Sequence, residues 1–294
     1  MRLDSTTAED RSAGYRRLTI TADDFGMSVG VNLAVAEAAG RGVLTAASWM
    51  ANGSAAQEAA AMGRRFSQLD VGIHLVLTCG RPVTGPDRVP SLVSQQGTFW
   101  NLGAFCRRLA TGRIALDEVR REWEAQVEQG HRLGLQFRHL DGHHHVQLHP
   151  RLAPIAAGIA GAHGMTARCR APQWPDGGGM RTLVAQVTLG PWARRSRRCW
   201  KQFAGADCVW SLTAGDALGD AGILLEWTRH VRGRWTEWVL HPAAVDDIPP
   251  ETDCYSAGRL GEYRALLHPD LPQALAAIAA VETRAQSLRL VPLE

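Results

Sequence analysis

A chain of 294 residues, 45% hydrophobic and 21% charged, has the make-up of an ordinary globular protein. Its formal charge of +3 is too small to argue for a nucleic-acid partner, and no stretch approaches the ~20 unbroken apolar residues of a membrane-spanning helix. The six cysteines are scattered without a C-x-x-C pair, which fits a reduced, cytoplasmic chain better than a disulfide framework or a structural zinc site.

Residues 1–16 are polar, lack the apolar run of a secretory signal, and read as a flexible lead-in to one domain over 17–294. "RLTITADD" then alternates like a strand, and Ser28 is placed to cap a helix, "VGVNLAVAEAAGRG". "VLTAASWM" reads as a second strand, "SAAQEAAAMGRRF" as a helix with Ser54 near its cap, and "DVGIHLVLT" as a third strand. This alternation predicts parallel βαβ units. The Pro/Gly-rich segment "CGRPVTGPDRVPSLVSQQGTFW" is long enough to suggest a lid or substrate loop. A helix over 116–133, with Leu116, Val119, Trp123 and Val127 on its apolar side, leads to a short strand "FRHLD" and then to "GHHHVQLHP". Residues 151–163 read as helix and "MTARCR" as strand. The pattern weakens over 171–205 before a helix at 219–232, a strand "GRWTEWVLHP", and a helical segment 259–284 broken at "HPDLP".

Polar, metal-competent residues recur where strands end. They are Asp23 and Asp24, His74, Asp141 with His143 to His145, and His241. In parallel α/β barrels and sheets those ends converge on one face, where active sites are built. A carboxylate with two imidazoles suits a catalytic divalent ion, and such an ion would also reconcile two adjacent aspartates, leaving one of them free as a base. Adjacent strand residues point to opposite faces, so the backbone must leave strand geometry near the pair, and Gly26 permits such a turn. Taken singly, each feature has a plainer reading: helix-capping aspartates, a core histidine, a solvated His-rich loop. The basic run Arg194–Arg198 reads as a solvated face, and the tryptophans mostly as core, with Trp100 and Trp174 as candidates for stacking on a sugar ring.

"TADDFG", "GIHLVLTCGRPV", "HLDGHHHVQLHP" and "WVLHPA", in this order, resemble the YdjC-like carbohydrate deacetylases, which include chitooligosaccharide deacetylases and a related hopanoid-biosynthesis branch. The resemblance implies a (β/α) barrel-like fold, distorted or incomplete relative to a TIM barrel. It also implies hydrolytic removal of acetyl from an N-acetylated amino sugar, with one divalent metal ion, magnesium or zinc. Carried over by position, the ligands are Asp24, His74 and His143, the base is Asp23 and the acid is His241. Asp141, His145, Arg168, Arg170 and Trp100 are the candidates for supporting those groups or touching substrate. Gly142 departs from the family pattern, which often has serine there. Two other readings use the same residues: a metal-dependent phosphoesterase, or a carbohydrate-binding protein without turnover. The resemblance leaves the oligomeric state open, homo-oligomer included.

Overall fold

The computed structural model describes residues 17–173, 180–212 (backbone alone for 180–186), 221–231, 234–248, 255 and 258–278. Seven strands form one sheet: β1 (Arg17–Phe25), β2 (Ala46–Trp49), β3 (Asp70–Leu75), β4 (His139–Gly142), β5 (Thr166–Ala167), β6 (Cys208–Ser211) and β7 (Trp235–Leu240). Their order is β5-β4-β3-β2-β1-β7-β6, and every pairing is parallel. The sheet therefore follows the chain as a circle would, with a seam between β5 and β6. Among the described residues a single bridge, Gln173 to Trp210, spans that seam. The result is an incomplete α/β barrel, as the resemblance implies, built from the parallel βαβ units that the alternation predicts.

Helices α1 (Val29–Gly40), α2 (Ala56–Arg65), α3 (Leu102–Ala110), α4 (Leu116–Arg132), α5 (Ala153–Ala162), α6 (Met180–Ser196), α7 (Ile223–Arg229) and α8 (Arg259–Leu266) connect or flank the strands. Ser28 caps α1 as expected, its hydroxyl accepting from Val31 N at 3.2 Å. Ser54 does not cap α2; it donates instead to Met27 O at 2.9 Å and ties the helix entry to the end of β1. The region 171–205, patternless in sequence, contains α6, and α3 and β6 also went unpredicted. β6 is only four residues long, and α6 carries Pro191 inside it. Asn101 did signal α3, accepting from Ala104 N at 2.9 Å.

The strands are covered on both faces, and their apolar residues Ile20, Trp49, Ile73, Leu75, Leu140, Trp238 and Leu240 are buried with at most 1% exposure. Trp210, Trp227 and Trp238 pack together with ring centroids 5.6–6.4 Å apart. The expected apolar face of α4 is present in Val119, Trp123 and Val127, but Glu122 and Gln126 are buried beside them. Glu122 accepts from Val83 N, Thr84 N and the Thr84 hydroxyl at 2.7–3.0 Å, and Gln126 bonds Val76 on both sides. The 79–100 segment is thus fastened to α4 by a buried carboxylate.

The turn after β1 is where the fold shapes the site. Asp24 has φ +64°, and the β1–β2 register slips between Ala22 and Phe25. The break from strand geometry thus falls on Asp24 itself as well as on Gly26, at φ +100°. A non-glycine residue in the left-handed region costs about 1–3 kcal/mol and persists only where its surroundings over-determine it. They do so here: Met27 N bonds Asp24 O at 2.8 Å, Asn32 Oδ1 accepts from Gly26 N at 2.9 Å, and Met50 N bonds Phe25 O at 2.8 Å. Gly53 packs against the same turn, where a Cβ would stand 2.1 Å from Gly26 O.

Candidate active site

The C-terminal strand ends converge as the barrel rule requires. Asp23 and Asp24 come from β1, His74 from β3, Asp141 from β4, Arg168 from just beyond β5, and His241 from just beyond β7. His74 and Asp141 are register partners on adjacent strands, so their side chains meet directly, Nδ1 to Oδ1 at 2.7 Å. Asp141 Oδ2 in turn accepts from the Ser48 hydroxyl at 2.6 Å and from Arg168 at 2.8 Å. This orients the His74 ring: Nδ1–H is given to Asp141, and Nε2 faces Asp24 Oδ1, 3.3 Å away.

His143 begins a tight 3-10 turn, His143–Leu148, in which His144 and His145 both sit at φ +54°. That turn brings His143 Nδ1 to 2.9 Å from the same Asp24 oxygen. Nε2 of His143 is buried without a hydrogen-bond partner, and the Cys79 thiol adjoins the ring. His144 bonds the Thr78 hydroxyl at 2.9 Å. His145 lies among Arg168, Asp23 and His241; burial, then Arg168, push its imidazole down to about 3, so it is neutral, and its buried Nδ1 has no hydrogen-bond partner.

Among the described residues, two groups can present three donor atoms to one cation: Asp24/His74/His143 and Asp23/His74/Asp141. In the first, the separations of 2.9 and 3.3 Å from Asp24 Oδ1 match donors about 3.0–3.4 Å apart around an ion held at about 2.1 Å. In the second, Arg168 already takes up the carboxylates, contacting Asp23 at 2.7 and 2.9 Å and Asp141 at 2.8 Å.

Charge counting points the same way. Four buried carboxylates (Asp23, Asp24, Asp141 and Glu237) face two buried guanidinium groups, Arg168 and Arg259, which leaves two negative charges uncompensated. The histidines answer this by holding protons. Burial alone would depress the His74 imidazole, but Asp141 and Asp23 outweigh it and raise it to about 9. His143 is likewise held well above the usual imidazole range, burial opposing and Cys79 and Asp24 prevailing. Burial works to raise Asp24, yet Arg259, His143 and His74 keep it well below the ordinary carboxylate range. A dication held by Asp24, His74 and His143 would supply the missing charge and displace those protons. Because the His74 proton leaves only near pH 9, lower pH favours the proton over the metal. Metal affinity is therefore expected to fall by at least about tenfold per unit as pH drops from about 8 to 6. Calorimetry in buffers of different ionisation enthalpy would count the released protons, and a pH-independent affinity would contradict the ligand set.

The remaining sequence candidates separate clearly. Arg168 is fully enclosed, adding Glu237 at 2.8 Å to its aspartate contacts. Arg170 turns away, donating to Ala206 O at 2.9 Å and standing 4.0 Å from Asp207. His241 Nε2 lies 4.0 Å from Asp23 Oδ2. Trp100 donates its indole N–H to Ser91 O at 3.1 Å and carries the Arg108 guanidinium 4.4 Å over its ring; Trp174 lies outside the described residues. Arg194, Arg195, Arg197 and Arg198 are exposed. Beside the site itself, three buried ionisable residues escaped the sequence reading: Glu237, which accepts from Thr21 and Arg168, and Arg259 and Glu262 of α8.

Fold and site together define an incomplete (β/α) barrel with a buried, metal-competent Asp/His cluster at its C-terminal mouth. The chain belongs to the YdjC-like family, whose profile, described as YdjC-like protein, matches residues 17–277. It is 42% identical over 145 residues to a carbohydrate deacetylase of Geobacillus stearothermophilus, a match covering 49% of this chain and 56% of that protein. The chain thus aligns with little more than half the length of that relative. It is 32% identical over 265 residues to a chitooligosaccharide deacetylase of Citrobacter koseri, covering 89% of this chain and 94% of the relative. Among solved structures, a protein of Enterococcus faecalis described as a cellobiose-phosphate cleavage protein superposes with a TM-score of 0.71 at 25% identity, over 90% of this chain and 95% of that one. Among the described residues no helix is long and apolar enough to cross a membrane.

Proposed function

We propose that this protein is a metal-dependent hydrolase that removes the acetyl group from an N-acetylated amino sugar, such as a chito-oligosaccharide, releasing acetate and a free amine. One observation carries the reading: the Asp24/His74/His143 donor set lies beside a second carboxylate, Asp23, that Arg168 holds by both oxygens, with His241 Nε2 4.0 Å from it. The deacetylase names of relatives aligned over most of the chain support it. Two imidazoles and one carboxylate favour zinc or another borderline dication over magnesium, which prefers oxygen donors and bound water. When bound, the ion acts as a Lewis acid toward the acetamide carbonyl and acidifies a coordinated water.

The chain's own groups do the rest. Arg168 fixes the Asp23 carboxylate so that it accepts the proton of the attacking water. His241, on the other side of Asp23, gives a proton to the sugar nitrogen as the C–N bond breaks, so that the product leaves as a neutral amine. Asp141 takes the Nδ1–H of His74 and so keeps Nε2 turned toward the Asp24 side of the site, where it would serve as a ligand. A two-metal phosphoesterase is disfavoured, since a second ion at Asp23 and Asp141 would have to displace a buried guanidinium.

Incubation with N-acetylglucosamine oligomers and an acetate assay, with and without EDTA, tests the reaction class; no acetate from any N-acetylated sugar would sink it. His241→Gln is expected to bind zinc like the wild type while kcat falls by about 10²–10⁴. Normal turnover by that variant would remove His241 from the role of acid.

A further inference from the structure

Helix α8 carries two ionisable side chains into the interior, Arg259 at 1% exposure and Glu262 at 2%, and burial pushes the Glu262 carboxyl up to about 8. Arg259 Nη2 donates to Asp24 Oδ2 at 2.6 Å, its Nε to Tyr255 O at 2.7 Å, and its Nη1 to His241 O at 3.5 Å. One turn further on, Glu262 Oε2 accepts from His241 N at 2.5 Å, while Oε1 accepts the Tyr255 hydroxyl. Ala243 N closes the segment onto Arg259 O at 3.2 Å. A single helical turn therefore grips the Asp24 carboxylate on one side and the backbone of His241 on the other.

The geometry at each end is directional. Asp24 has two oxygens, and the guanidinium takes Oδ2, so Oδ1 is the one that faces His74 Nε2 and His143 Nδ1. The His241 ring lies between Glu262 and Asp23, with Nδ1 3.9 Å from Glu262 Oε2 and Nε2 4.0 Å from Asp23 Oδ2. Buried charges of this kind are weak devices for stability, because apolar residues of similar size often serve as well or better. Their place here is explained by what they aim.

We propose that Arg259 and Glu262 are positioning residues for the deacetylation: Arg259 presents Asp24 Oδ1 to the metal by occupying Oδ2, and Glu262 sets the His241 ring beside Asp23. The proposal rests on the reading of Asp24 as a ligand and His241 as the proton donor. It divides the helix into two arms with separate consequences, one on metal affinity and the other on proton transfer.

The test uses the full-length protein, zinc calorimetry and steady-state acetate release. Arg259→Met is expected to weaken zinc binding by about 10–100-fold, with Arg259→Lys recovering part of the loss. Glu262→Gln, close to isosteric, is expected to lower kcat by up to about 10²-fold through a small displacement of His241, with KM and zinc affinity within about threefold of the wild type. Wild-type zinc affinity in Arg259→Met, or zinc affinity falling in step with kcat in Glu262→Gln, would overturn the assignment. Calorimetry needs no turnover, so a wild type that releases no acetate sinks the deacetylase reading while the Arg259 arm is still decided. The Glu262 arm is then decided by the imidazole ¹H–¹⁵N resonances of His241. They shift in Glu262→Gln if Glu262 holds the ring, and unchanged resonances would refute it.

Discussion

Asp24→Asn is expected to abolish zinc binding and turnover together, with kcat/KM falling by at least about 10³-fold. The substitution preserves shape but removes the charge on which three neighbours depend. His143 Nδ1 and His74 Nε2 both meet Oδ1, at 2.9 and 3.3 Å, and Arg259 meets Oδ2 at 2.6 Å. An amide oxygen is a poor ligand for a borderline dication, and the asparagine leaves the Arg259 guanidinium buried without its ionised partner. Leaving one member of a buried pair uncompensated costs about 3–5 kcal/mol. The apo variant should therefore melt below the apo wild type. The second readout separates ligand loss from mere instability. Zinc at about 100 times its dissociation constant stabilises a protein that binds it in the folded state by about 2.7 kcal/mol, so the wild type should gain several degrees in Tm and the variant none. A variant that still gained from zinc would show that Asp24 is not a ligand.

Acid should distinguish the two proteins further. The folded-state pKa of Asp24 lies well below its unfolded value, so its ionisation contributes stability that is fully present above about pH 4 and lost as pH falls toward the folded value. Asparagine has no such term. The stability gap between wild type and variant is expected to narrow in acid, as urea titrations at two pH values would show.

The proposed metal donors were legible in the sequence because their signals are local. "HLDGHHH" places a carboxylate two residues before an imidazole, and "GIHL" puts a histidine on a strand whose other residues are apolar. What made them a site was pairing register: His74 opposite Asp141, which no spacing within one strand reveals. The choice between Arg168 and Arg170 was likewise invisible, since it turns on how the chain leaves a two-residue strand, β5. Arg259 was out of reach for a different reason. It contacts Asp24 across 235 positions, and an arginine and a glutamate three apart on a short helix read as a solvent-exposed face. Glu122 and Glu237 were hidden in the same way, as carboxylates buried by long-range partners. The parallel βαβ units followed from the rhythm of strands and helices, whereas the seam between β5 and β6 depends on short strands with little pattern of their own.

Arg168→Met is expected to be the most destabilising single change in the site, and its effect should depend on pH with a sign opposite to simple acid denaturation. The guanidinium satisfies Asp23 at 2.7 and 2.9 Å, Asp141 at 2.8 Å and Glu237 at 2.8 Å, all in the interior. Methionine fills similar space and leaves three carboxylates without their common cation, a loss of at least about 3–5 kcal/mol near neutral pH. In the wild type, burial would raise Asp141, but Arg168 and His74 overcome it and hold the group well below the ordinary carboxylate range. The wild type therefore keeps this contribution above about pH 4 and loses it as pH falls further. Without Arg168 its largest opposing charge is gone, burial gains weight, and the protonated form of Asp141 becomes easier to accommodate. Relative to the wild type, the variant should recover stability as pH falls from about 7 to 4.5, because protonation relieves what the missing cation no longer offsets. Urea unfolding of the apo proteins across that range measures the difference directly. Arg168→Lys keeps the charge and loses the fork, so it should recover part of the stability and little of the turnover, since one ammonium cannot hold both oxygens of Asp23 while meeting Asp141 and Glu237. Equal loss at both pH values would mean that the loss does not come from unpaired carboxylates, and the Asp23 base would then need another explanation for its placement.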